Sequence, residues 1–122
     1  MVPGGGAALL GCIPALEALR PDDPDEALGF NAIVCALAEP MRAILGNAGI
    51  DAAPIVDEAR RRGLTEVYDV LRRDWVDAWT GGVVDPLAVV QAALESSVTT
   101  AALVLTSEVL VRRKNPPLST TP

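Results

Sequence analysis

Residues 82–111 read GVVDPLAVVQAALESSVTTAALVLTSEVLV, and this stretch decides the fold. Asp85-Pro86 is a helix-start signal. An Asp side chain accepts hydrogen bonds from the free amides of a first turn, and Pro is tolerated at the first helical position. The apolar run that follows predicts one long helix reaching about Val111. From Val98 to Val111 it is apolar on nearly every side, so burial on most faces is expected. Glu108 interrupts the run and needs a partner or a route to water.

Upstream, the spacing predicts further helices. Ala8, Leu9, Cys12, Ile13, Leu16 and Leu19 recur at helical spacing after Gly4-Gly5-Gly6, with Pro14 as an expected kink or irregularity. Arg20-Pro-Asp-Asp-Pro24 breaks the chain. Asp25 is the expected cap of a helix running to about Asn47, bent or divided at Glu39-Pro40. Gly49 stops it, because glycine accepts the left-handed conformation of a C-cap. A shorter helix is expected from about Ala53 to Arg62, stopped by Gly63. Thr65 to Leu71 reads as a short strand or extended loop. Trp75 and Trp79 lie four apart and are expected on one face of a short helix ended by Gly81-Gly82. Lys114 to Pro122 is polar and Pro-rich, and residues 115–122 are expected to be a disordered tail.

Composition narrows the function. The chain has 122 residues, half of them hydrophobic, and its only aromatics are Phe30, Tyr68, Trp75 and Trp79. Small aliphatics favour closely packed helices over a β-sandwich. A net charge of −6 argues against nucleic-acid binding, which needs clustered Lys and Arg. Arg60-Arg61-Arg62 and Arg112-Arg113-Lys114 read as solvated helix C-termini, where cations offset the helix dipole. With no His, the commonest general base and zinc ligand are missing, and no Ser/His/Asp or Cys/His set can form. Cys12 and Cys35 are not in a C-x-x-C pattern and are expected to be free, buried thiols in a reducing cytosol. The longest charge-free runs after Glu17 are Ala27–Ala38 and Ser96–Ser107. Both are shorter than a membrane helix, so the chain reads as soluble and cytoplasmic, with no membrane partner.

Few residues stand out as ligand groups. Gly4 to Gly6 is either a flexible start to a helix or a place where backbone approaches a nucleotide. It is not a Walker-type loop, because G-x-x-x-x-G-K-[ST] is absent. Asp85 is either a helix cap or a carboxylate that binds a ligand hydroxyl, and the roles are compatible. Tyr68 and Asp69 fit a ligand wall or an exposed turn equally well. Trp75 and Trp79 read as core. Asp22, Asp23, Asp25 and Glu26 resemble a metal cluster only by density, and no metal site is expected.

Five segments in register resemble the group I chaperonins (chaperonin 60, GroEL type). They are Val2–Leu10 (VPGGGAALL), Cys12–Leu19 (CIPALEAL), Ala36–Gly49 (ALAEPMRAILGNAG), Gly82–Pro86 (GVVDP) and the helix Val89–Val111. Together they match the C-terminal part of that family's equatorial domain, with residues 1–114 as the segment. The resemblance implies a mostly α fold: an antiparallel bundle of about four main helices with a short extended segment, forming part of an equatorial domain. It implies ATP or ADP as ligand, with Gly5 beside the nucleotide, Asp85 on the ribose and Val83 on the adenine. The family's Asn-Ala-Ala turn against the adenine falls on Asp69-Val70-Leu71. This is a departure, because an ionised Asp only accepts hydrogen bonds and Val and Leu are bulkier than Ala.

In the family, Mg, the phosphate loop, the hydrolytic Asp and the client-binding surface belong to segments not matched here. The Gly-Met-rich tail is replaced by Asn115 to Pro122. The expectation is a fragment or truncated relative of an ATP-dependent folding chaperonin that has no catalytic residues and does not hydrolyse ATP alone. Non-native protein clients and the co-chaperonin are partners only in the full-length context, and a homo-oligomer is expected. The alternative is a non-enzymatic helical self-association module that has lost nucleotide binding.

Overall fold

The computed structural model describes residues 1–19, 21–111 and 114. The chain divides into a unit from Met1 to Val89 and a second beginning at Val90. The basic residues Arg112 and Arg113 and the tail 115–122 lie outside the described residues.

The first unit opens with a short strand, β1 (Val2–Pro3), and two short helices, α1 (Ala7–Gly11) and α2 (Ile13–Ala18), separated at Cys12. Pro14 sits in the first turn of α2, where its missing N–H costs no intrahelical bond. The irregularity expected at Pro14 is therefore a clean break just before it. Helix α3 (Pro24–Ala36) is capped by Asp23, not by Asp25. Asp23 has extended backbone and accepts from the Asp25 and Glu26 amides at 2.8 and 3.2 Å. Pro24 takes the first helical position, so the cap falls one residue before it.

Turn residues Leu37 and Ala38 separate α3 from α4 (Glu39–Asn47), with Pro40 in the first turn. Helix α4 ends in a Schellman motif: the Ile50 amide donates to the Leu45 carbonyl at 2.9 Å and the Gly49 amide to the Gly46 carbonyl at 3.0 Å. Gly49 has φ +68, the conformation the sequence reading required of it. Asp51 caps α5 (Ala52–Arg62), whose last turn carries Arg60, Arg61 and Arg62.

A hairpin follows. Strands β2 (Glu66–Asp69) and β3 (Asp74–Asp77) pair antiparallel, with Val67 opposite Val76 and Tyr68 opposite Trp75. Trp75 therefore lies on a strand, which corrects the expected Trp75–Trp79 helix. Asp77 explains the difference. Its carboxylate accepts from the Trp79 and Thr80 amides and from the Thr80 hydroxyl, closing a tight turn that runs to Gly81. Trp79 is 55% exposed, so it is not core.

The core of this unit is Ala7, Leu10, Ile13, Leu37, Ala38, Met41, Leu45, Val56, Ala59, Val67 and Ala78. Helices α1, α2, α4 and α5 and the hairpin supply most of it. Three glycines lie in close contacts, and Gly81 is one of them: a Cβ there would lie 2.7 Å from the Asp77 carbonyl oxygen. A Cβ on Gly6 would lie 2.8 Å from the Met41 nitrogen, and one on Gly11 would lie 2.1 Å from a Leu64 methyl. Cys12 and Cys35 are free but exposed, which corrects the expected burial. Cys12 sits at the break between α1 and α2, and Cys35 sits in α3, of which no residue is buried.

The last elements are β4 (Val84–Asp85) and α6 (Leu87–Leu105). Helix α6 ends six residues before Val111, and none of its residues is buried. Leu103, Val104 and Leu105 are 66%, 65% and 86% exposed, so the burial expected from Val98 onward is not realised within this chain. The stretches Pro24–Asn47 and Leu87–Leu105 are each long and apolar enough, by length and composition, to cross a membrane. A single charge, Glu95, divides α6, so no charge-free run spans it.

Candidate functional site

The glycine run and the Asp85 segment, 80 residues apart in sequence, meet in a two-stranded ladder. Strand β1 pairs antiparallel with β4, placing Val2 opposite Asp85 and Pro3 opposite Val84. The Gly4 amide extends the ladder by donating to the Val83 carbonyl at 2.9 Å. A Cβ on Gly4 would sit 3.1 Å from the Val83 carbonyl group and the Val84 nitrogen, so the backbones touch. Gly5 and Gly6 then turn the chain into α1 with φ of +65 and +83, conformations that suit glycine. The bare Cα of Gly5 faces the Val83 side chain: a Cβ there would lie 3.9 Å from its Cγ1. Gly5, Val83 and Asp85 thus share one small region, and each is half-buried.

Asp85 does not cap α6. It sits in β4, and the helix begins two residues later at Leu87. The ladder holds its backbone extended, so its carboxylate is not offered to the first turn. Among the described residues that carboxylate has no hydrogen bond or ion pair. A half-buried acceptor without a partner among the described residues is available to a ligand hydroxyl.

The turn Asp69-Val70-Leu71 begins at the tip of the β2–β3 hairpin. No strand pairing or hydrogen bond among the described residues joins it to the β1–β4 ladder. One Asp69 oxygen accepts from the Leu71 and Arg72 amides at 2.8 and 3.2 Å. The other lies 3.4 Å from the Arg72 guanidinium. Both oxygens are therefore engaged inside the turn itself. Leu71 is 92% exposed.

At the base of the hairpin, Arg62 forms a cluster that the basic-helix-end reading did not anticipate. Its Nε donates to Glu58 at 2.7 Å and its Nη1 to Glu66 at 2.7 Å. Its guanidinium carbon lies 4.6 Å from the centre of a Trp75 ring. Trp75 meets Tyr68 edge-on, with ring centres 5.4 Å apart. Hydrogen bonds from Arg61 and then Arg62 hold the Glu58 carboxyl below its ordinary range. Glu58 and Glu66 raise Arg62 further. The (i, i+4) spacing of Glu58, Arg62 and Glu66 is the signal in the sequence that could have found it.

A mostly helical wall crossed by a glycine-to-Asp ladder defines the class, and comparison with known proteins agrees. The chain belongs to the TCP-1/cpn60 chaperonin family, whose profile matches residues 1–115. It is of the group I type. It is 40% identical over 121 residues to a mitochondrial 63 kDa chaperonin of Heliothis virescens, covering 96% of this chain and 21% of that protein. It is 41% identical over 112 residues to the chaperonin GroEL of Neorickettsia risticii, covering 91% of this chain and 20% of that one. The chain thus spans about a fifth of the length of these relatives. Among solved structures, an open-state monomer of a group II chaperonin from Methanococcoides burtonii superposes with a TM-score of 0.75 at 24% identity. That superposition covers 87% of this chain and 28% of the other, and it establishes the equatorial-domain-like fold.

Proposed function

We propose that this chain forms the ribose and adenine side of a nucleotide pocket, and part of the ring-assembly surface, of an ATP-dependent protein-folding chaperonin. The observation that carries the reading is the β1–β4 ladder, which holds Gly5 against Val83 beside an uncommitted Asp85 carboxylate. Asp85 accepts from the ribose hydroxyls, Val83 packs on the base, and Gly5 leaves room for the nucleotide. Asp69-Val70-Leu71 lines the base edge by shape and backbone, since the Asp69 oxygens are engaged within their own turn. ATP or ADP is the ligand. Mg, the phosphate contacts and hydrolysis fall to other parts of the family's fold, and clients and co-chaperonin belong to the full-length context.

ADP titrated into isotopically labelled chain tests this by amide shifts. The expected result is movement at residues 4–7 and 83–85, with affinity reduced by Asp85→Ala. No movement in that region, or equal affinity in Asp85→Ala, refutes the site. ATP turnover by the chain alone that disappears in Asp85→Ala would overturn the assignment of hydrolysis to other segments.

The apolar surface of α6 favours a second reading, a self-associating helical module. Val89, Leu103 and Val104 are each more than 60% exposed on one 19-residue helix. Large exposed apolar patches promote association. A clean monomer by light scattering at high concentration refutes it.

A further inference from the structure

We infer that Arg62 is a positioning residue for the base-facing turn: it latches the β2–β3 hairpin to α5 and so fixes where Asp69-Val70-Leu71 is presented. The inference rests on the nucleotide reading above for the role of that turn, and on the Arg62 geometry for the latch.

The hairpin is joined to α5 by Gly63-Leu64-Thr65. Gly63 has φ +80 and no atom within 4 Å of a Cβ placed on it, so sterics around Gly63 do not hold the joint. Leu64 packs against Gly11, which anchors the linker. The Ala78 amide donates to the Thr65 carbonyl at 2.9 Å, which anchors the hairpin's open end. Beyond the packing of buried Val67, Arg62 adds a polar tie between the helix and both strands. One guanidinium face lies over Trp75 of β3, while its nitrogens hold Glu58 of α5 and Glu66 of β2.

Only a planar, delocalised cation with several fixed donors makes these three contacts together. A lysine ammonium is a point charge and lacks the fixed fork that sets both carboxylates and the indole contact at once. Tyr68, edge-on to Trp75 and adjacent to Asp69, passes the constraint to the start of the turn. The turn needs such help: its tip holds Arg73 at φ +55 and a nearly bare Leu71.

The test uses the whole chain as wild type, Arg62→Met and Arg62→Lys. Met keeps an apolar stem without charge, and Lys keeps the charge without the fork. Hydrogen exchange of the β2 and β3 amides should rise by about fivefold or more in Arg62→Met, with α4 amides unchanged, and less in Arg62→Lys. In parallel, ADP and ribose 5-phosphate, which lacks the base, are titrated into each. Wild type should prefer ADP, and Arg62→Met should narrow that preference while leaving ribose 5-phosphate affinity unchanged.

Unchanged hairpin exchange overturns the latch. Faster exchange with an unchanged ADP preference overturns the positioning role. If wild type binds neither ligand, the nucleotide reading itself fails and takes the role toward a base with it. The exchange result then separates that failure from failure of the latch.

Discussion

Replacing Gly6 by Ala should destabilise the chain more than any other single methyl added at its left-handed turns. The magnitude follows from two contributions. Gly6 has φ +83, a left-handed backbone that costs an L-residue about 1–2 kcal/mol. Its new Cβ would also lie 2.8 Å from the Met41 nitrogen, 3.0 Å from the Met41 Cβ and 3.1 Å from the Met41 Cα. Those are backbone and near-backbone atoms at the buried start of α4, so no side-chain rotation relieves them. Overpacking of this kind costs roughly 1–3 kcal/mol. The total is about 2–5 kcal/mol, a large share of a small domain's stability. Gly49→Ala is the matched control: φ is +68 but nothing lies within 4 Å, so only the backbone cost of about 1–2 kcal/mol applies. Urea unfolding followed by tryptophan fluorescence should show the Gly6→Ala midpoint displaced about twice as far as that of Gly49→Ala. Equal displacements would refute the packing of the glycine turn against Met41, and with it the fixed placement of Gly5 beside Val83.

Leu45 is 1% exposed at the centre of the core, so Leu45→Ala should cost about 2–5 kcal/mol in the same assay. Leu71→Ala, at 92% exposure, should stay within about 0.5 kcal/mol. Acid should weaken the fold through Glu58 and Asp77. Arg61 and Arg62 hold Glu58 below its ordinary 4.5, and the Thr80 amide and hydroxyl hold Asp77 below its ordinary 3.8. For carboxyls depressed in the folded state, the stabilisation is present above those ordinary values and lost as pH falls through the lower folded ones. Thermal melts from pH 6 down to pH 2 should therefore fall less steeply in Glu58→Gln than in wild type, and parallel slopes would count against the ion-pair cluster.

Helices with strong punctuation were legible in the sequence. Gly49 and Gly63 stop α4 and α5 where a left-handed glycine was expected, and Pro40 opens α4. Such signals are local, because they depend on backbone conformations that few residues adopt. The Trp75–Trp79 segment was misread because a spacing of four fits a helix face as well as a strand followed by a turn. The deciding hydrogen bonds come from Asp77, whose side chain competes for the amides a helix would need. In the candidate site, the β1–β4 ladder sets Gly5 against Val83 and Val2 opposite Asp85. The capping role of Asp85 did not survive, because a ladder pairing with Val2 fixes its backbone, and no local pattern reveals a partner so far away in sequence. Arg62 was hidden for the same reason: its ring partner lies 13 residues on, and its charge looked sufficient to explain it.

Helix α6 shows how a sequence can be correct about chemistry and still incomplete about burial. Four hydroxyls in α6 and just beyond it turn back on the backbone. Ser97 donates to the Ala93 carbonyl, Thr100 to Ser96, Thr106 to Ala102 and Ser107 to Leu103, at 2.6 to 2.9 Å. A hydroxyl turned back on its own helix leaves the outer surface apolar and tolerates removal from water. A 19-residue helix with no buried residue is a marginal structure by itself, since helices in proteins draw most of their stability from packing of a face. The helix is therefore suited to a cover. A bilayer satisfies its length and hydropathy, but so does protein, and the two differ in what they require of the flanks. The family match reaches residue 115 and so takes in α6. Relatives about five times as long carry ample chain to supply a protein cover. The exposed leucines and valines of α6 are therefore the surface that a cover, protein or bilayer, would take.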